Sequence, residues 1–247
     1  MAPFGDADVE AAEKQTMVNE VFAKVASKYD QMNDLMSFGL HRLWKDDLVA
    51  MLNPPRSARA FEVLDLAGGT GDIAMRIARA GGSGVRVTIA DISPAMLGEG
   101  RRRIGRERLG QRCRFAVTNA EALAFRSGTF DAVTIAFGIR NVTDIGRALG
   151  EARRVLKPGG RFLCLEFSRV DMPGVEALYD LYSLTTIPAL GRIVTGDGQP
   201  YRYLVESIRR FPDAASLARK MEEAGFSQVS FRMLSAGVVA IHSGWRT

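Results

Sequence analysis

From Phe61 to Phe167 the chain alternates between apolar runs of strand length and segments with helical spacing. FEVLDLA, VRVTIA, CRFAV, FDAVTIAF and RFLCLEF are rich in β-branched and aromatic residues. GDIAMRIARA, SPAMLGEGRRRI and TDIGRALGEARRVL carry apolar residues three and four apart. Strands joined through helices run parallel, and a parallel sheet needs cover on both faces. The alternation therefore predicts an α/β fold on a doubly wound, mostly parallel sheet. Ser93 before Pro94 predicts a helix start, and Lys157-Pro158-Gly159-Gly160 a turn that ends a helix.

Two regions break the pattern. Residues 1–60 read as a mainly helical N-terminal cap. Residues 170–211, mixed apolar and aromatic and broken by Pro188, Gly191, Gly196 and Gly198, read as a helical insertion. Between them lies a core over 61–169. After them, residues 212–247 read as a helix, DAASLARKMEEAG, and the strand pair FSQVSFRM and SAGVVAIHSG, which brings the sheet to seven strands. A chain of 247 residues with 47% hydrophobic content is enough for one such domain, 1–247, with a substantial core. Cys113 and Cys164 each sit in an apolar run and read as reduced core thiols, and no disulfide framework or metal site is implied. The acidic N-terminus and the lack of any apolar run near 20 residues predict a cytoplasmic chain.

The stretch VLDLAGGTGDIAMRIA puts a glycine cluster between the first core strand and the next helix, at the carboxyl edge where open α/β sheets hold ligands. Gly69-x-Gly71-x-x-Ala74 also satisfies a dinucleotide fingerprint, with Asp91 about 20 residues on to hold a ribose. Charge separates the readings: a diphosphate wants an uncompensated helix start, whereas Asp65 and Asp72 flank this loop. S-adenosylmethionine has no phosphate and carries a sulfonium and an ammonium, which such carboxylates attract. On this reading Asp65, Gly69, Thr70 and Gly71 form the cofactor loop, and Asp91 takes the ribose hydroxyls. Asn119 and Ala120, after the third strand, read the adenine edge. Competing readings make Asp72 a first-turn helix residue, Asp91 a helix-entry turn and Asn119 an ordinary loop residue. The formal charge of +5 and Arg101-Arg102-Arg103 would permit a nucleic-acid module, but the excess is scattered arginine with no aromatic stacking signature, so no nucleic-acid partner is expected.

With these residues in view the chain resembles the ubiquinone and menaquinone biosynthesis C-methyltransferases, class I enzymes with a Rossmann-like fold that use S-adenosylmethionine. The resemblance lies in VASKYDQMNDLMSFGLHRLWK, VLDLAGGTGD, NAEALAF, FGIRNVTD, RVLKPGGRFLCLEFS, YRYLVESIRRFPD and AGVVAIHSG. The glycine loop and LKPGG are widespread among methyltransferases, while YDxMNDLMSxGxHRxWK and GxRNVTD are specific. Ala136 stands where serine is frequent and Ala124 where proline is common. The resemblance implies methylation of a ring carbon of a prenylated quinol, at the inner membrane face or in a quinone-biosynthesis assembly, with a homodimer as one form. Other small-molecule methyltransfer and dinucleotide oxidoreduction are the alternatives.

In that chemistry a developing phenolate wants a fixed positive partner. Arg140, directly after the fourth strand, is the candidate, with Asn141 fixing it or the ring oxygen. The competing view pairs Arg140 with Asp144 or a helix end. Tyr29, His41 and Tyr201 are candidate substrate contacts, His41 also reading as a packing residue. The cap and the 170–211 insertion, with Met32, Met36, Phe38, Trp44, Tyr179, Tyr182 and Tyr203 read as exposed apolar residues, are expected to fold over the crevice as lid and substrate wall.

Overall fold

The computed structural model describes residues 2–4, 7–10, 13–14, 16–18, 33–34, 37–168 and 199–247. Its strands are β1 (Ala2–Phe4), β2 (Ala7–Val9), β3 (Phe61–Leu66), β4 (Val85–Asp91), β5 (Cys113–Val117), β6 (Phe130–Ala136), β7 (Leu156–Phe167), β8 (Ser227–Leu234) and β9 (Val239–Trp245). The helices are α1 (Leu40–Leu52), α2 (Asp72–Ala80), α3 (Pro94–Arg106), α4 (Ile145–Val155), α5 (Gln199–Arg210) and α6 (Ala214–Glu223).

Seven strands form one sheet in the order β5-β4-β3-β6-β7-β9-β8. Neighbours are parallel through β7, and β9 lies antiparallel between β7 and β8. The helices divide between the two faces as the apolar runs require. Leu48 and Leu52 of α1, Ile73 and Ile77 of α2 and Leu97 and Ile104 of α3 pack on one face. Leu149 and Val155 of α4 and Leu217 and Met221 of α6 pack on the other. Strand order reverses between β3 and β6, the switch point where such sheets open a crevice.

The predicted helix start is in place, with Ser93 accepting from the Met96 amide and Pro94 at the first helical position, and Asp144 and Asp213 cap α4 and α6 in the same way. Cys113 and Cys164 are buried free thiols. Two expectations need correction. Lys157-Pro158-Gly159-Gly160 is not a separate turn: α4 stops at Val155, and this tetrad enters β7, where the register shifts between Phe130 and Ala132. Gly159, at φ +76°, donates to the Arg246 carbonyl at 2.7 Å, which ties the irregularity to the chain end. The N-terminal region also holds a strand pair, β1 with β2, besides helix.

Trp44, read from sequence as exposed, is 4% exposed. Its ring lies 6.2 Å from Phe137 and 6.4 Å from Phe167, and its indole N–H donates to Ser235 Oγ at 2.8 Å. Phe38 and Leu43 carry the exposed apolar surface of this region instead. Trp44 thus docks α1 against the carboxyl ends of β6 and β7, and sets Lys45 over the switch point. Trp44→Ala is expected to destabilise the fold by about 3–5 kcal/mol, as for other buried tryptophans, read by urea unfolding. A change below about 1 kcal/mol would show that α1 docks by other contacts.

Candidate active site

The crevice at the carboxyl ends of β3, β4 and β6 encloses about 1000 Å³, its open mouth included. The backbone makes room for it. Past β3 the chain turns left-handed at Ala67 (φ 51°), and past β6 it does so at Phe137 (φ 57°), a conformation most side chains avoid. Gly138 permits this: a Cβ there would stand 2.5 Å from Ala67 Cβ. At Gly68 a Cβ would meet Asp65 Oδ2 and the Asp65 carbonyl at 2.9 Å, so the loop can pass over Asp65 only without a side chain. Gly71, expected as a ligand contact, is not on the wall. It caps α2 at φ 79°, and a Cβ there would press on Ile104 of α3 at 3.1 Å, so its role is packing.

Among the described residues three carboxylates line the crevice, and they are not equivalent. Asp65 is 1% exposed; Thr134 Oγ1 donates to its Oδ1 at 3.0 Å, while Oδ2 has no hydrogen-bond partner among the described residues. Burial pushes its pKa up to about 7. Asp91 accepts from the Gly69 amide at 2.9 Å and the Ser93 amide at 2.8 Å, and burial raises it too. A diphosphate would need that Gly69 amide, which Asp91 already occupies. Burial also pushes Asp72 up, but Lys45 Nζ at 2.8 Å and Arg76 Nε at 3.1 Å outweigh it and hold the carboxyl at about 2. The expected attraction of a cationic ligand therefore rests on Asp65 and Asp91, since Asp72 has its charge compensated.

Thr70 and Gly69 are on the wall, and Thr70 Oγ1 accepts from Arg103 Nη1 at 2.9 Å. The triple arginine is thus not simply solvated: Arg103 braces the glycine loop. Asn119 and Ala120 line the crevice as expected; Asn119 Oδ1 accepts from the Glu121 amide at 2.9 Å, which leaves its amide nitrogen as a donor.

Arg140 needs the largest correction. Its guanidinium is 3% exposed and is not on the crevice wall. Nη1 donates to Glu166 Oε1 at 2.8 Å and to the Phe137 carbonyl at 2.6 Å, and the group lies over the Phe167 ring at 5.4 Å. The partner is neither Asp144 nor a helix end. Burial pushes the Glu166 pKa up and Arg140 pulls it back, the balance expected of a buried ion pair. Glu166 escaped the sequence reading, although one acidic residue in the apolar run RFLCLEF is the signal that could have found it. Asn141 does line the crevice, and Tyr203 OH donates to its Oδ1 at 3.0 Å. Tyr203 is buried rather than exposed.

His41 is also away from the crevice. Its Nε2 meets Asp34 Oδ1 at 2.8 Å, and burial lowers its pKa. Tyr29, Met32, Met36, Tyr179 and Tyr182 lie outside the described residues; Tyr201 falls in α5, where its side chain is not described.

The sequence profile of the ubiE/COQ5 methyltransferase family matches residues 10–246. The chain belongs to this family. It is 57% identical over 243 residues to the ubiquinone/menaquinone biosynthesis C-methyltransferase UbiE of Rhodopseudomonas palustris strain HaA2, covering 98% of this chain and 96% of that one. The UbiE of Methylobacterium nodulans is 59% identical over the same shares. A SAM-dependent methyltransferase of Thermotoga maritima matches with a TM-score of 0.62 at 19% identity, over 92% of this chain and 99% of that one, a likeness of fold.

The crevice fits S-adenosylmethionine, the cofactor this family implies. Asp65 presents a buried oxygen that has no partner among the described residues, and Asp91, Asn119 and Ala120 line the same crevice. In the unliganded chain this arrangement has a pH signature. Asp65 titrates near 7 when folded and near 3.8 when unfolded, so its contribution to stability is full below 3.8 and is lost as pH rises through about 7. Unfolding free energies of the wild type are expected to fall relative to Asp65→Asn as pH rises from about 4 to about 7, with a difference slope approaching about 1.4 kcal/mol per pH unit in the middle of that window and levelling off above it. Parallel profiles for the two proteins would contradict an uncharged Asp65 in the empty crevice.

Proposed function

We propose that the chain methylates a ring carbon of a prenylated quinol in ubiquinone or menaquinone biosynthesis, with S-adenosylmethionine as donor. The observation that carries this reading is one crevice wall on which Asp65, able to hold a cation, stands together with Asn141, able to hold a neutral ring oxygen. Full-length identity with C-methyltransferases of quinone biosynthesis supports the substrate class.

When bound, the cofactor supplies an electrophilic methyl on a sulfonium sulfur. The chain's task is to align and activate the carbon that attacks it. Loss of the ring hydroxyl proton raises electron density on the adjacent carbon. With the cofactor bound, that carbon would take the methyl group, leaving the sulfur as a neutral thioether; its own proton would then leave to restore the aromatic ring and the ring oxygen would regain a proton, for a net release of one. Tyr203 occupies Asn141 Oδ1 and leaves the Nδ2 donors to hold the ring oxygen while charge develops on it. Arg140 acts as a positioning residue: its bonds to the Phe137 carbonyl and Glu166 fix the turn Ile139–Asn141 that presents Asn141. Phe137 and Gly138 wall the crevice beside them and keep water from the reacting carbon.

A prenyl tail brings such a substrate from a bilayer. Among the described residues no helix is long and apolar enough to cross a membrane. Phe38, Leu40 and Leu43, exposed together at the start of α1, give the chain a face for the membrane surface or a membrane-bound assembly. Residues 170–198, read from the sequence as part of the lid and tail wall, lie outside the described residues.

Purified protein given S-adenosylmethionine and reduced demethylated benzoquinols or naphthoquinols should yield the ring-methylated product by mass spectrometry. Asn141→Ala should lower kcat on the order of 10²-fold while S-adenosylhomocysteine affinity stays within about twofold. A protein that binds S-adenosylhomocysteine yet methylates neither quinol class would overturn the substrate assignment.

A further inference from the structure

Among the described residues that line the crevice, Lys45 is the one cation, set among Asp65, Asp72 and Asp91. Its side chain is 5% exposed, although a lysine ammonium ordinarily stays in water. One of its three N–H donors goes to Asp72 Oδ2 at 2.8 Å, and the others meet no acceptor among the described residues. Asp72 does not depend on Lys45 alone, because Arg76 Nε donates to its other oxygen at 3.1 Å. The ammonium can therefore share itself with a second anion without leaving Asp72 uncompensated.

S-adenosylmethionine, on whose presence this argument rests, ends in an amino acid: an ammonium and a carboxylate. The carboxylate is the one anionic group that must enter a crevice lined by three acidic side chains. Unpaired there, it would lose its hydration and meet only repulsion. We propose that Lys45 binds the cofactor's α-carboxylate, so that α1, docked through Trp44, contributes to the cofactor site and senses its occupancy. The competing role, a strut between α1 and α2 through Asp72, makes a different prediction about ligands.

The test compares S-adenosylhomocysteine with its decarboxylated analogue, which keeps the sulfur, amine and nucleoside but lacks the carboxylate. Calorimetry on the wild type should give at least about tenfold tighter binding of S-adenosylhomocysteine. Lys45→Met should abolish most of that preference by weakening S-adenosylhomocysteine while leaving the analogue within about twofold. Asp72→Asn, which keeps the ammonium, should retain the preference and answers the question if Lys45→Met does not fold. Equal losses for both ligands in Lys45→Met, no preference in the wild type, or a preference lost in Asp72→Asn would each overturn the role of Lys45. A wild type that binds neither ligand would overturn the cofactor reading itself.

Discussion

The organisation of this molecule depends on one carboxylate kept out of water. Asp65 sits near the carboxyl end of β3 with one oxygen on Thr134 and the other unpartnered. Its rise from 3.8 to about 7 corresponds to roughly 4 kcal/mol of disfavour for the charged form. A chain carries such a group at the switch point of its sheet when a cationic ligand offsets the burial. The surrounding geometry serves the same end. Gly68 has no side chain where one would strike Asp65 Oδ2, and Thr134 of the neighbouring strand β6 fixes the other oxygen. Asp91 ties down the loop through the Gly69 amide.

Behind the wall lies a second buried charge arrangement of a different kind. Arg140 and Glu166 neutralise each other, with Phe167 across the guanidinium and the Phe137 carbonyl as a further acceptor. A matched pair of this sort offers little net stability, but it defines geometry, because removing either partner strands the other in the interior. What it defines here is the left-handed turn at Phe137 and the 3₁₀ turn Ile139–Asn141, which puts Asn141 on the crevice and Arg140 behind it. A carboxyl that titrates near 7 thus faces the crevice, and balanced charge holds the scaffold.

The sheet, its mostly parallel sense and the start of α3 were legible because they follow from local pattern: strand-length apolar runs, helical spacing, and Ser93-Pro94. The place of Asp65, Thr70, Asp91, Asn119 and Ala120 on one crevice was legible too, since an open parallel sheet puts strand-end residues at one edge. Arg140 was located but not oriented. One residue separates it from the crevice, and that turn depends on Glu166, 26 positions away in sequence and on another strand. Gly71 looked like a ligand contact because packing against Ile104 and close approach to a ligand demand the same absence of a side chain. Lys45 was missed for a related reason: a lysine in a helix reads as solvated surface until Trp44 is known to be buried beneath α1.

The central claim is that Asp65 waits, about half protonated near neutrality, for a cation. Calorimetric titration of S-adenosylhomocysteine in two buffers of different ionisation enthalpy, near pH 7, tests it most directly. The account predicts release of about half a proton on binding, as the ligand's ammonium draws Asp65 into its charged form, and no such release in Asp65→Asn. Equal proton release in both proteins, or none in the wild type, would contradict it.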